Sequence, residues 1–76
     1  MKSVKVHFTT YTDVKKFVDI VSQFPFDVDL VSGRYVVNGK SLVGIFSLDL
    51  AKDIQLDIYS EEPEALLSQI QSFVVS

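Results

Sequence analysis

The apolar residues of this chain switch repeatedly between a period of two and a helical period of about 3.6, and each switch marks a change of backbone geometry. Val4, Val6 and Phe8 alternate with Lys5 and His7, which predicts a half-buried strand over residues 2–8 with His7 exposed on its polar face. Val14, Phe17, Val18, Val21 and Phe24 then follow helical spacing, with Lys15, Lys16, Asp19, Ser22 and Gln23 on the opposite face. Thr12 is the expected N-cap, Asp13 suits the first turn, and Pro25 is expected to end the helix. Alternation returns in Phe26–Val31, a turn is expected at Ser32-Gly33-Arg34, and Tyr35-Val36-Val37 completes a hairpin. Asn38-Gly39-Lys40-Ser41 breaks the strand, and Leu42, Val43, Ile45, Phe46 and Leu48 predict a short helix opened by Ser41. Ile54, Leu56 and Ile58 alternate in a fourth strand. Ser60 through Glu64 combine a capping residue, acids and Pro63 as a helix start, and Leu66, Leu67, Ile70, Phe73 and Val74 form its apolar stripe.

The order is therefore β-α-β-β-α-β-α, and every strand keeps one polar face. An α+β domain satisfies this pattern: a four-stranded antiparallel sheet with the helices on one face, an open-faced β-sandwich. With 76 residues there is room for one domain, residues 1–76. A chain this short buries about 60% of its unfolded surface, so a large internal cavity is not expected.

Composition narrows the function classes. There is no cysteine and one histidine, which excludes thiolate metal sites and argues against a metal centre or a metal cofactor. The net charge of −3 disfavours nucleic-acid binding. No apolar run reaches the roughly 20 residues of a membrane span. Met1–Lys5 does not lead into the apolar region of a signal peptide, and the expected location is the cytoplasm. Asp27 and Asp29 share one side of a strand and lack a third ligand, so a solvated face explains them. Glu61, Glu62 and Glu64 suit a helix start. Lys15 and Lys16, extended by Arg34 and Lys40, could form a basic patch, although a solvated helix face accounts for the first two. Thr9, Thr10 and Thr12 have no base within reach in sequence, and capping accounts for them.

The element order and the run Val37-Asn38-Gly39-Lys40-Ser41-Leu42-Val43-Gly44-Ile45-Phe46-Ser47-Leu48 resemble the phosphocarrier protein HPr family of the sugar phosphotransferase system. Lys40 through Leu48 match the family's pattern: a lysine–serine pair, two apolar residues, glycine, two apolar residues, serine and leucine. Asp27-Val28-Asp29-Leu30 resembles its second strand. The resemblance implies a non-enzymatic protein that takes no cofactor and binds a protein partner: a phosphotransferase component, a kinase or a regulator. It also implies that Ser41 is a candidate for regulatory phosphorylation, and that Lys40, Leu42, Val43 and Phe46 lie where the family docks its partners. One family signature is absent. The run that carries the phosphoacceptor histidine, its arginine and a proline is replaced by Thr9-Thr10-Tyr11-Thr12-Asp13, which leaves Thr10 and Thr12 in a degenerate loop. The expected function is thus a non-carrier regulatory or partner-binding homologue. The alternative is a drifted module of the same fold with an unrelated partner or a structural role.

Overall fold

A computed structural model describes residues 1–76. Its elements run β1 (Lys2–Val6), α1 (Tyr11–Val21), β2 (Val28–Ser32), β3 (Tyr35–Asn38), α2 (Leu42–Phe46), β4 (Ile54–Ile58) and α3 (Glu64–Gln69), followed by a 3₁₀ turn at Gln71–Phe73. The four strands form one sheet in the order β1-β4-β2-β3, and all neighbours are antiparallel. This is the open-faced sandwich expected from the sequence.

The register explains which residues are inside. Val4, Leu56, Leu30 and Val37 align across the strands in one row, and the rows on either side add Val28, Ile58, Val6 and Ile54. These side chains share the face that the helices cover, and Val6, Val28, Leu30, Ile54, Leu56 and Ile58 are fully buried. From above, α1 contributes Val14, Phe17 and Val21, α2 contributes Ile45, and α3 contributes Leu66. The rings of Phe8 and Phe73 stand 5.1 and 6.2 Å from that of Phe17, so the two ends of the chain meet over the first helix. Burying a side chain of this size is worth about 1.5–3 kcal/mol.

Several expected boundaries move. β1 stops at Val6, and His7 lies just beyond it, half-buried rather than exposed on a strand face. α1 starts a turn-fraction earlier than expected, with Thr10 and not Thr12 as its N-cap. Thr10 has the extended backbone that a cap requires, and its hydroxyl accepts from the Asp13 amide, three residues on. The same helix ends at Val21, a turn before Pro25. Phe24 leaves the helical stripe and packs against Phe26, ring centroids 5.4 Å apart.

The C-terminal elements differ most. Ser60 does not cap α3: its hydroxyl accepts from the Glu62 amide, and the helix begins at Glu64 after Pro63, which makes no side-chain cap. The helix stops at Gln69, and Val74 is extended. The tail pairs with β1 through Val75 N to Lys5 O, Lys5 N to Ser76 O and His7 N to Phe73 O, each 2.9 Å. Satisfying these backbone groups along an otherwise free strand edge outweighs one more turn of a six-residue helix.

Candidate functional site

Two helix starts and the surface between them make up the site. At α2, Asn38-Gly39-Lys40 turns the chain tightly against β2. The Gly39 amide donates to the Val28 carbonyl at 2.8 Å, and a Cβ on Gly39 would stand 2.6 Å from Val28 Cγ2. Only a residue without a side chain fits so close to the sheet. The Lys40 amide donates to Asn38 Oδ1 at 2.8 Å, and the Lys40 ammonium donates to the Phe24 carbonyl at 2.8 Å. Ser41 then caps α2, its Oγ accepting from the Gly44 amide at 3.1 Å. No acidic residue lies in the first turn of α2.

The residues of α2 divide by face. Ile45 is buried, and Leu42 is half-buried against the core. Val43 is 82% exposed and Phe46 is 38% exposed. These two stand three residues apart, on one side of the helix. The Tyr11 ring, at the first position of α1, meets the Phe46 ring edge-on with centroids 5.1 Å apart. Tyr11 is 73% exposed, and with Lys15, Phe46 and Leu50 it lines a shallow depression of about 540 Å³. The exposed apolar surface beside Ser41 is thus Val43, Phe46 and Tyr11.

This arrangement divides the expected site residues. Leu42 belongs more to the core than to the surface, because it stands three residues before the buried Ile45, on the same side of α2, and packs against the core. The expected basic patch does not gather: Lys40 is tied to Phe24, Arg34 lines a separate groove at the tip of the β2–β3 hairpin, and Lys15 and Lys16 are exposed on α1. Tyr11 was not among the residues singled out by sequence. Its signal was an aromatic residue among threonines at a helix start, which becomes informative only once Phe46 is seen beside it.

At α1 the start is built differently. While the Asp13 amide donates to Thr10 Oγ1 at 3.2 Å, the Thr9 amide donates back to Asp13 Oδ2 at 3.1 Å. The carboxylate thus bonds the amide just before the cap and places negative charge at the positive end of the helix. Thr12 is exposed within the first turn and makes no side-chain hydrogen bond. His7 lines a depression of about 520 Å³ with Thr9, Thr10, Tyr11 and Leu50, nearer the start of α1 than its place in sequence suggested. Its Nδ1 is buried 3.2 Å from Asp53 Oδ1, an electrostatic contact without hydrogen-bond alignment.

On the far side of the sheet, Asp57 is 8% exposed and accepts from Ser3 Oγ at 2.7 Å and Gln55 Nε2 at 2.8 Å. Partial loss of solvent, together with the charges of Asp29 and Asp57, pushes the Tyr59 hydroxyl above its ordinary titration range. No group of three metal-ligating side chains converges anywhere in the molecule, and no helix is long and apolar enough to cross a membrane.

Comparison with known proteins now decides the family. The family model for the HPr component of the phosphotransferase system, described by its phosphorylation site, matches residues 13–75. The chain belongs to the HPr family. The matched stretch takes in Ser41 and all of α2 and begins after His7 and Thr10. Among solved structures, HPr-C-His from Thermoanaerobacter tengcongensis superposes with a TM-score of 0.79 at 22% identity, covering 95% of this chain and 89% of that one. A phosphocarrier protein HPr from Bacillus anthracis str. Ames gives 0.72 at 25% identity, covering 97% and 94%. The catabolite repression protein Crh of Bacillus subtilis, described as a swapped dimer, gives 0.66 at 24% identity, covering 96% and 90%. No curated protein sequence matches the chain. It is thus an HPr-like protein related to the phosphotransferase system.

Proposed function

We propose that this chain is a non-carrier member of the HPr family that acts by binding a protein partner, with Ser41 as its site of regulatory phosphorylation. The observation that carries this reading is the contrast between the two helix starts. A carrier needs a nucleophilic imidazole at a helix start whose amides can receive phosphate. Here the start of α1 holds Thr10, whose hydroxyl already accepts from Asp13 N, and the Asp13 carboxylate, bonded to Thr9 N, puts a negative charge there that disfavours a phosphate. The start of α2 has a serine cap and no acid in its first turn. A phosphate on Ser41 would add a charge of roughly −1.5 to −2 at the end of the helix that favours anions. It would also stand next to the exposed Val43 and Phe46, so it would alter what docks there more than it alters the fold.

The partner-binding surface in this reading is Val43, Phe46 and Tyr11, with Leu42 supporting it from below. Lys40 fixes the approach to α2 through Phe24 instead of reaching out to a partner. A serine-directed HPr kinase with ATP tests the reading. The parent is labelled on one serine, and Ser41→Ala is not. If the parent stays unlabelled under conditions that label an ordinary HPr, Ser41 is only a helix cap and the drifted-module reading takes its place.

A further inference from the structure

The largest surface groove is not part of the site described above. It measures about 930 Å³ and lies between the β2–β3 hairpin and the loop that leads from α2 to β4. Three of the chain's seven basic residues line it: Lys5, Arg34 and Lys52. They come from β1, the hairpin tip and the loop, so only the fold brings them together. Lys5, Gln55 and Val31 form one row across β1, β4 and β2, which sets the Lys5 and Val31 backbones about 10 Å apart.

The charges in this groove are not balanced against each other. None of the three cations lies within 4 Å of a carboxylate oxygen; the molecule's one contact of that kind is between His7 Nδ1 and Asp53. Two carboxylates share the rim: Asp53 lies 3.2 Å from His7 Nδ1, and Asp49 Oδ1 accepts from the Ala51 amide at 3.1 Å. Three cations and two carboxylates line this one concavity, a formal balance of one positive charge in a chain of net charge −3. Ser32, Ser47 and Tyr35 add hydroxyl groups, and Val31 and Leu48 add an apolar wall.

We infer that this groove binds a small phosphate monoester. The volume falls within the range of small-ligand sites, about 300–1,000 Å³. A guanidinium and two ammonium groups suit a dianionic head, with arginine offering a fork of donors to its oxygens. The hydroxyls and the Gln55 amide suit a polar body. Asp49 and Asp53 on the same rim repel an extended polyanion, which favours a compact ligand carrying its charge at one end.

Amide NMR titration with glycerol phosphate and with inorganic phosphate, at fixed ionic strength, tests the inference. Saturating shifts are expected at Ser32, Gly33, Arg34 and Lys52 with glycerol phosphate, and a weaker response with inorganic phosphate. Arg34→Gln and Lys52→Gln should each weaken binding about tenfold, the loss of one charge-assisted hydrogen bond. Lys16→Gln, on exposed α1, should leave it unchanged. Shifts that do not saturate, or that spread equally to Lys2, Lys15 and Lys16, overturn the inference. So does an oligoglutamate peptide that saturates the same amides at lower concentration than glycerol phosphate, since the groove would then be a docking surface for an acidic protein. Neither result touches Ser41, so this inference and the proposed function stand or fall separately.

Discussion

The starts of α1 and α2 use the same device to opposite effect. Each opens on a hydroxyl residue in extended conformation that accepts from the amide three residues on, Thr10 from Asp13 and Ser41 from Gly44. At α1 the residue giving that amide also returns a carboxylate to the Thr9 amide, so the positive end of the helix is already occupied by negative charge. At α2 the corresponding residue is glycine and brings no charge. A Cβ there would stand 3.1 Å from Ser41 Oγ and 3.4 Å from Val37 Cβ, so the space beside the cap is tight as well as neutral. The same capping motif therefore creates two electrostatic environments, set by the side chain three residues later: a carboxylate at α1 and none at α2.

The two starts also differ in what holds them. The approach to α2 is pressed against the sheet, whereas the approach to α1 is held by its own loop. The largest effect is thus expected from Gly39→Ala. Its new methyl group would overlap Val28 at 2.6 Å, and such overpacking typically costs about 1–3 kcal/mol. Chemical denaturation should show the loss, with amide shifts concentrated at the start of α2. An unchanged midpoint would mean that the close approach to β2 is not what fixes this turn.

Next come the caps. Ser41→Ala and Thr10→Ala should each cost about 1 kcal/mol, which for a domain of this size lowers Tm by about 4–8 °C. Ser41→Asp keeps an acceptor at the cap and should melt above Ser41→Ala. If Ser41→Ala melts with the parent, the α2 cap is not energetically formed.

Asp13→Asn is expected to be smaller, about 0.3–1 kcal/mol, because a charge at a helix start that is still partly open to solvent is screened. Its cost should shrink in high salt, while that of Ser41→Ala should not, since no charge is involved there. Equal salt dependence at both caps would remove the electrostatic half of the comparison.

The smallest effect lies away from both helices. The Tyr59 hydroxyl titrates above its ordinary value in the folded chain, so the unfolded chain loses that proton first as the pH rises. Folded stability from this group is complete below about pH 10 and declines as the pH climbs from there through the raised folded value. Tyr59→Phe should flatten that alkaline decline in a pH series of denaturation midpoints. If the two proteins decline in parallel, Asp29 and Asp57 do not act on the hydroxyl.

The fold was legible because each element carried its own period. Val4, Val6, Leu56 and Leu30 alternate without ambiguity, and the register then buries them together. Element ends were less legible, because they depend on partners distant in sequence. The helical stripe through Phe73 and Val74 suggested a longer last helix, yet β1 offered that tail backbone partners. Thr12 was the expected cap, but the helix opens two residues earlier, where Thr10 has the extended backbone and its hydroxyl accepts from the Asp13 amide. At the site, Ser41 and its exposed helix could be read from the run Lys40–Leu48. The Tyr11–Phe46 pair, the His7–Asp53 contact and the basic groove could not, since each joins residues brought together only by the sheet and its loops.

The central claim is that phosphate enters this molecule at the second helix and not at the first. Incubation with phosphoenolpyruvate and the first phosphotransferase enzyme, followed by intact-mass measurement before and after mild acid, tests it most directly. The account predicts no added phosphate on the parent while an ordinary HPr in the same tube is fully labelled. An acid-labile phosphate on the parent that disappears in His7→Ala would contradict it, making His7 the acceptor and the chain a carrier.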